Sequence, residues 1–303
     1  MTAARIVTLL AVLLLAPALP GIATRTKALL TGRRGAPMLQ LYADLARLLR
    51  KGVVYSRTVT VVFRAAPVVL TATVLVAVLL LPLDGRAPIF GFTGDLVAFA
   101  GLLGLGRFAL VLGGLDTGSS FEGMGASREV TVAAFAEPAL FLSFTVLVLA
   151  TGSLSLGGML GAPLAAAWPS VAPSLVLAGA SLFMLLLAEN ARVPIDDPAT
   201  HLELTMIHEV MILDHSGPDL ALILFAGAVK FALFAALVVS VLVPLALFEP
   251  WVASGLLLAG LAAVAVLVGI VEGAMARLRM DRIPQFLVAA SALAGFGVIL
   301  LLR

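Results

Sequence analysis

Eight long apolar stretches, each about the length of a bilayer-crossing helix, alternate along this chain with shorter polar segments. They run over 4–23, 65–83, 96–115, 131–151, 170–188, 220–247, 251–272 and 284–302. A helix needs about 20 apolar residues to cross the ~30 Å hydrocarbon core, and none of these runs alternates at the period of two that a membrane β-barrel would show. The pattern predicts an all-α integral membrane protein, a single membrane domain over 1–303 with about eight transmembrane helices and short cytoplasmic amphipathic helices. Residues 138–188 carry no charge and are too many for one span, so the Gly/Ser/Pro-rich piece 152–169 is read as a turn. Lys230 lies inside the run 220–247, which suggests a tilted or overlong helix.

Composition agrees with that pattern. The chain is 62% hydrophobic and only 12% charged, against roughly 25% charged in soluble domains. Soluble enzymes, secreted domains and disordered chains are excluded. With no cysteine, disulfides, thiolate nucleophiles and cysteinyl iron–sulfur or zinc sites are excluded too. The histidines, His201, His208 and His215, all fall in one polar stretch, so no span holds a haem ligand. Their spacing of seven puts successive rings about 10.5 Å apart on a helix, too far to share one ion. No Walker A, G-x-S-x-G or H-E-x-x-H pattern occurs, and no cofactor or metal is expected in this chain.

Charge fixes an orientation. Residues 25–57 hold eight bases (Arg25, Lys27, Arg33, Arg34, Arg47, Arg50, Lys51, Arg57) and one acid, Asp44. Basic loops stay in the cytoplasm, so loops 24–64, 116–130, 189–219 and 273–283 are placed inside and both termini outside. The basic cluster directly after the first run also argues that this run is a span and not a cleaved signal. The second long loop is the opposite: 189–219 holds seven acids and one base. Acids do little for orientation, and anionic headgroups repel them, so this loop is expected to face protein or guard a proton entrance. Asp197-Pro198 reads as a helix start, with Leu202, Met206, Ile207, Val210 and Met211 near helical spacing and Gly217-Pro218 as its end.

Charged residues within spans are costly and mark ion routes or structural pairs. Arg107, Glu137, Lys230 and Glu272 lie in or at the edges of spans. Glu272, beside a loop, reads as a structural ion pair. Glu129 and Glu137, eight residues apart, share roughly one helix face, and Glu189 ends the fifth span on the same side of the membrane. Burial raises a carboxylate's pKa and a neighbouring arginine lowers it, so such groups can take and release a proton. Glu129, Glu137, Glu189, Glu203 and Glu209 are the candidate proton route, and Arg128, Arg192, Arg107 and Lys230 are its charge-tuning groups. Asp196, Asp197, Leu202, Met206 and Val210 are the candidate docking residues for a soluble partner.

Three segments carry a family resemblance. ENARVPIDDPATHLELTMIHEVMILDHSG at 189–217 resembles the fifth-to-sixth-helix loop of the respiratory complex I subunit 1 family, with an Arg192-Val193-Pro194 core. DTGSSFEGMGASREVTVAAFAEP at 116–138 resembles its third-to-fourth-helix segment, where an arginine precedes a membrane glutamate by nine, as Arg128 precedes Glu137. The first loop, RTKALLTGRRGAPMLQLYADLARLLRK, has the family's layout, with Ala36 where glycine is usual. The texts GASRE and LTMIHEVMIL resemble the branch found in membrane-bound group 4 NiFe hydrogenases of the formate hydrogenlyase type.

The resemblance implies a non-catalytic subunit of an oxidoreductase complex in the cell inner membrane, anchored in the lipid bilayer and conducting protons. Its implied partners are hydrogenase large and small subunits, iron–sulfur subunits and antiporter-like membrane subunits, with no nucleic acid. The NiFe centre and the Fe–S clusters are then expected in those partners. The rival readings are the quinone-chamber subunit of complex I itself and a stand-alone ion-coupled transporter.

Overall fold

The computed structural model describes residues 2–196 and 206–303. Asp197, Leu202 and Glu203, and with them the helix start at Asp197-Pro198, lie outside the described residues. No strand occurs among the described residues. Seven helices are long and apolar enough to cross a membrane, and a further pair of helices bent by 47° meets the same test together. The protein is a multi-pass membrane protein.

The bent pair is α1 (Thr2–Leu15) and α2 (Ala18–Leu30), and it replaces the straight first span expected from the sequence. Pro17 stands at the break; without an N–H it cannot continue the hydrogen-bond ladder, and the helix kinks. α3 (Gln40–Leu49) is short and buries none of its residues. Then come α4 (Val61–Leu79), α5 (Asp95–Asp116) and α6 (Ser120–Thr151). α6 has 32 residues, about 48 Å at 1.5 Å per residue. It therefore absorbs most of the expected loop 116–130 into its first turns.

The turn after α6 is shorter than expected. It holds the single-turn α7 (Leu156–Met159), and α8 (Ala162–Glu189) begins at once. α8 takes a proline in its first turn and keeps Pro169 and Pro173 inside, which membrane helices tolerate because neighbours satisfy the freed carbonyls. α9 is the short helix His208–Met211, and α10 runs Gly217–Leu242. The run through 247 is not one long helix: Val243, before Pro244, is extended at φ −119°, ψ 119°, as the residue before a proline prefers. α11 (Pro250–Ala274) and α12 (Ile283–Leu301) complete the chain.

α10 is the core of the bundle. It packs against α2, α3, α4, α8 and α11, and residues on every side of it are buried, as expected for a helix apolar all round. α1 and α2 together lie along α11. Thr8 Oγ1 and Ser254 Oγ are 2.6 Å apart near the start of α11, while a Cβ at Gly269, near its end, would sit 2.4 Å from the Ala23 carbonyl oxygen. Only glycine permits that approach. The bent pair thus passes from one end of α11 to the other.

The first loop is fastened to the start of α10 at the basic end. Ser216 Oγ accepts from the Val54 amide at 3.1 Å, and Tyr55 donates to Asp219 at 2.8 Å. Ser216 therefore ties the first loop down and does not cap α10 through its side chain.

Candidate functional site: a buried charge cluster between two cavities

Four helices each bring charge to one place. α5 contributes Arg107, α6 contributes Glu129 and Glu137, the last residue of α8 is Glu189, and α10 contributes Lys230. The Arg107 guanidinium meets three carboxylates: Glu129 at 3.7 Å, Glu137 at 3.1 Å and Glu189 in a direct hydrogen bond. Lys230 Nζ lies 2.6 Å from the second Glu189 oxygen. The two-turn spacing of Glu129 and Glu137 thus delivers both to one arginine. Three carboxylates face two cations, so with all five ionised the cluster carries one negative charge in excess. Inside apolar protein such an excess is costly, and a single bound proton removes it.

Glu137 differs from its neighbours. Its side chain is 53% exposed on the flank of the bundle, whereas that of Glu189 is 7% exposed. A carboxylate at mid-bilayer costs about 2.5–3.5 kcal/mol, so this flank calls for water or another protein beside it.

Two cavities meet at the cluster. The first, about 220 Å³, lies toward the basic end, walled mainly by apolar residues such as Leu70, Val74 and Phe231. Its polar lining includes Arg107, Glu129, Glu189, Lys230, His208 and Glu209. The second, about 230 Å³, lies between α5, α6 and α8 and holds Glu137. Burial, reinforced by the Lys230 charge, pushes the His208 pKa down to about 4, so its imidazole is neutral at physiological pH and offers the first cavity an uncharged donor and acceptor.

The remaining sequence-predicted residues sit elsewhere. Arg128 donates to the Met206 carbonyl at 2.8 Å and reaches the Met124 sulfur, fastening the segment before α9 onto α6. Arg192 pairs with buried Glu272 at 3.4 Å and lies 5.6 Å over the Phe231 ring. The groups in contact with Glu137 and Glu189 are therefore Arg107 and Lys230.

Met206 and Val210 do not form an outward stripe. They are 4% and 0% exposed, and a Cβ at Gly125 would lie 2.9 Å from Val210 Cγ1. Their apolar side is used within the chain, against α6, which leaves Leu213 (53% exposed) and Asp214 facing outward. Asp196 is also turned inward. At 2% exposure it accepts from the Ile207 amide at 3.0 Å and from Arg277 at 2.8 Å.

Sequence reasoning read Glu272 as half of a structural ion pair, which Arg192 completes, but missed the rest of this lock. Arg277–Asp196, Arg192–Glu272 and the Leu278 amide on the Pro194 carbonyl at 2.8 Å tie the segment after α8 to the end of α11 and the loop beyond it. The partners are some 80 residues apart, and no spacing rule links them. Among the described residues no group of three or more His, Cys, Asp or Glu could hold a metal ion.

Comparison with known proteins agrees with this architecture. The chain is 35% identical over 232 residues to hydrogenase-4 component C of Escherichia coli K12, covering 77% of this chain and 72% of that one. It is 32% identical over 289 residues to formate hydrogenlyase subunit 4 of the same organism, covering 93% and 91%. Its fold matches, with a TM-score of 0.83 at 17% identity over 99% of both chains, a chain of the membrane-bound sulfane sulfur reductase, an archaeal respiratory membrane complex. The NADH dehydrogenase family pattern matches residues 3–302, and the chain belongs to that family.

Proposed function

We propose that this chain is the membrane-anchoring, proton-conducting coupling subunit of a group 4 NiFe hydrogenase or formate hydrogenlyase-type complex. One observation carries the reading: Glu189 ends α8 where the acidic loop begins and is bound by both Arg107 and Lys230. A charge change above that loop therefore acts directly on a carboxylate that also contacts the intramembrane cluster. The two hydrogenase-type relatives support the choice of complex. On this reading the basic loops face the cytoplasm and both termini the outside. Leu213 and Asp214 look toward the soluble hydrogenase and iron–sulfur subunits, which carry the NiFe centre and clusters. An antiporter-like membrane subunit covers Glu137.

The test replaces charge and keeps shape. Glu137→Gln and Glu189→Gln should assemble, while hydrogen turnover linked to the membrane gradient falls sharply. Normal assembly with full coupled activity in both variants would sink the proton route. The apolar walls of the first cavity favour a second reading, a quinone chamber as in complex I. Stoichiometric quinone extracted from the purified complex would select it.

A further inference from the structure

The second cavity is a cleft on the flank of the bundle, between α5 and α6. Leu103, Ala136 and Leu140 form its buried floor, while Val97, Gly101 and Phe141 are exposed on its rims. A Cβ at Gly101 or Gly104 would meet nothing within 4 Å, so this chain leaves the space beside α5 open. α5 runs Asp95–Asp116, which puts Arg107 about 18 Å from one end and about 14 Å from the other. Glu137, held by Arg107 at 3.1 Å, is therefore an exposed carboxylate far from both headgroup layers.

Two acceptors on this flank lack a donor. Arg107 bonds Glu137 Oε1, and no described residue bonds Oε2. Pro138 stands inside α6 and has no N–H to give the Ala134 carbonyl one turn earlier; both residues are exposed. Such groups in hydrocarbon take their donors from a neighbouring helix, and an acyl chain has none to offer. We propose that the cleft receives a transmembrane helix of a neighbouring membrane subunit, which lays a lysine or arginine against Glu137 and the Ala134 carbonyl. The inference deepens the reading of this chain as one subunit of a membrane complex and rests on it. A cation fits better than a neutral donor, because this chain's two cations leave one of the three carboxylates unbalanced. A lysine brings three donors and an arginine five, enough for both acceptors at once. The open space at Gly101 and Gly104 lets the incoming backbone approach α5 closely.

The first test finds the occupant. The assembled complex is purified with the photoreactive amino acid p-benzoylphenylalanine in place of Phe141, an exposed aromatic on the rim. It is then irradiated, and the peptide joined to this chain is identified by mass spectrometry. The expected product is an apolar span of another membrane subunit with a lysine or arginine inside the apolar stretch. A span without such a residue, a second copy of this chain, or lipid adducts alone would overturn the proposal.

The second test reverses the pair. Glu137→Lys should lower the amount of that subunit retained on purification by about tenfold or more, and changing the partner's mapped cation to glutamate should restore it. Glu137→Gln still accepts a hydrogen bond and should keep the subunit. Where Glu137→Lys lowers the membrane yield of this chain itself, Gly101→Phe replaces it. That side chain fills the cleft from an exposed position without a clash inside this chain, so the yield of this chain should hold while the partner is lost. Full retention of the partner in an inserted Glu137→Lys or Gly101→Phe variant, or a reversed pair that restores nothing, would overturn the proposal. A chain that purifies with no other membrane subunit would overturn this inference and the proposed function together, whereas lipid adducts within an intact complex overturn this inference alone.

Discussion

Replacing Lys230 by methionine keeps the length of the side chain and removes one cation from the cluster. Lys230 Nζ is 2.6 Å from Glu189, and the two side chains are 14% and 7% exposed. Three carboxylates then face Arg107 alone, and the excess rises from one negative charge to two. Removing one partner of a buried pair costs about 3–5 kcal/mol, which for a chain of this size lowers the melting temperature by roughly 10 °C. Taking up a proton limits that loss, so the deficit should be larger at pH 8.5 than at pH 6.5. Lys230→Met/Glu189→Gln removes the exposed charge conflict and should recover most of the lost stability. The assay is thermal unfolding of the purified complex for the wild type, both single variants and the double variant. Contacting charges couple by about 0.5–3 kcal/mol in such a cycle. Additive effects, or a Lys230→Met deficit independent of pH, would refute the reasoning that Glu189 is held by two cations.

Three further outcomes follow from other contacts. Val210→Asp puts a carboxylate at a fully buried position against Gly125, where burial without a partner costs several kcal/mol; membrane yield of this chain should fall even without soluble partners, whereas a pure docking residue would leave it unchanged. Burial holds the His215 pKa down at about 4, and its ring stacks on Phe63 at 3.9 Å. The unfolded chain, with an ordinary histidine near 6.5, binds the proton first as pH falls, so the neutral ring's stabilisation drops by about 2 kcal/mol between pH 7.5 and pH 5, a slope that pH-dependent melting should find flattened in His215→Phe. Arg277→Ala breaks the lock on buried Asp196 and should loosen retention of the soluble subunits on purification, while Arg279→Ala, which removes an exposed pair with Asp281, should stay within about 0.5 kcal/mol of wild type in melting.

Much of the fold can be read from the sequence because membrane spans advertise themselves by length and apolarity. The misread boundaries all involve proline or glycine. Pro17 bends the first span, Pro244 ends the sixth early, and Pro163 starts α8 well before the expected position. A proline's effect depends on whether neighbouring groups accept the freed carbonyls, and a single sequence does not contain those neighbours. The carboxylates of the candidate site were legible because charge in a span is rare. Their cations were only half legible: Arg107 and Lys230 stood out by the same rarity, but Arg128 and Arg192 are nearer Glu137 and Glu189 in sequence and turn elsewhere in space.

On the proposed function, the placement of Glu189 lets a loop that faces a redox subunit act on a membrane charge without a long mechanical linkage. Glu189 is the final residue of α8, and the chain reverses at once through Ala191, whose φ of +48° is a left-handed conformation. A non-glycine residue there costs about 1–2 kcal/mol, so the surrounding contacts must impose it. Arg192 is held by Glu272, Pro194 by the Leu278 amide and Asp196 by Arg277. The loop base is therefore fixed to α11 and to the connection before α12, while Glu189 alone faces the cluster. Displacing a soluble subunit above this base would not need to move a helix. A shift of one turn's worth of backbone at residues 190–192 would alter the geometry of Glu189 against Arg107 and Lys230, and a buried charge pair carries far more energy than any single apolar atom contact, so the same displacement changes more there. Rigidity below the loop and charge at its hinge are thus complementary requirements, and both are met within eight consecutive residues.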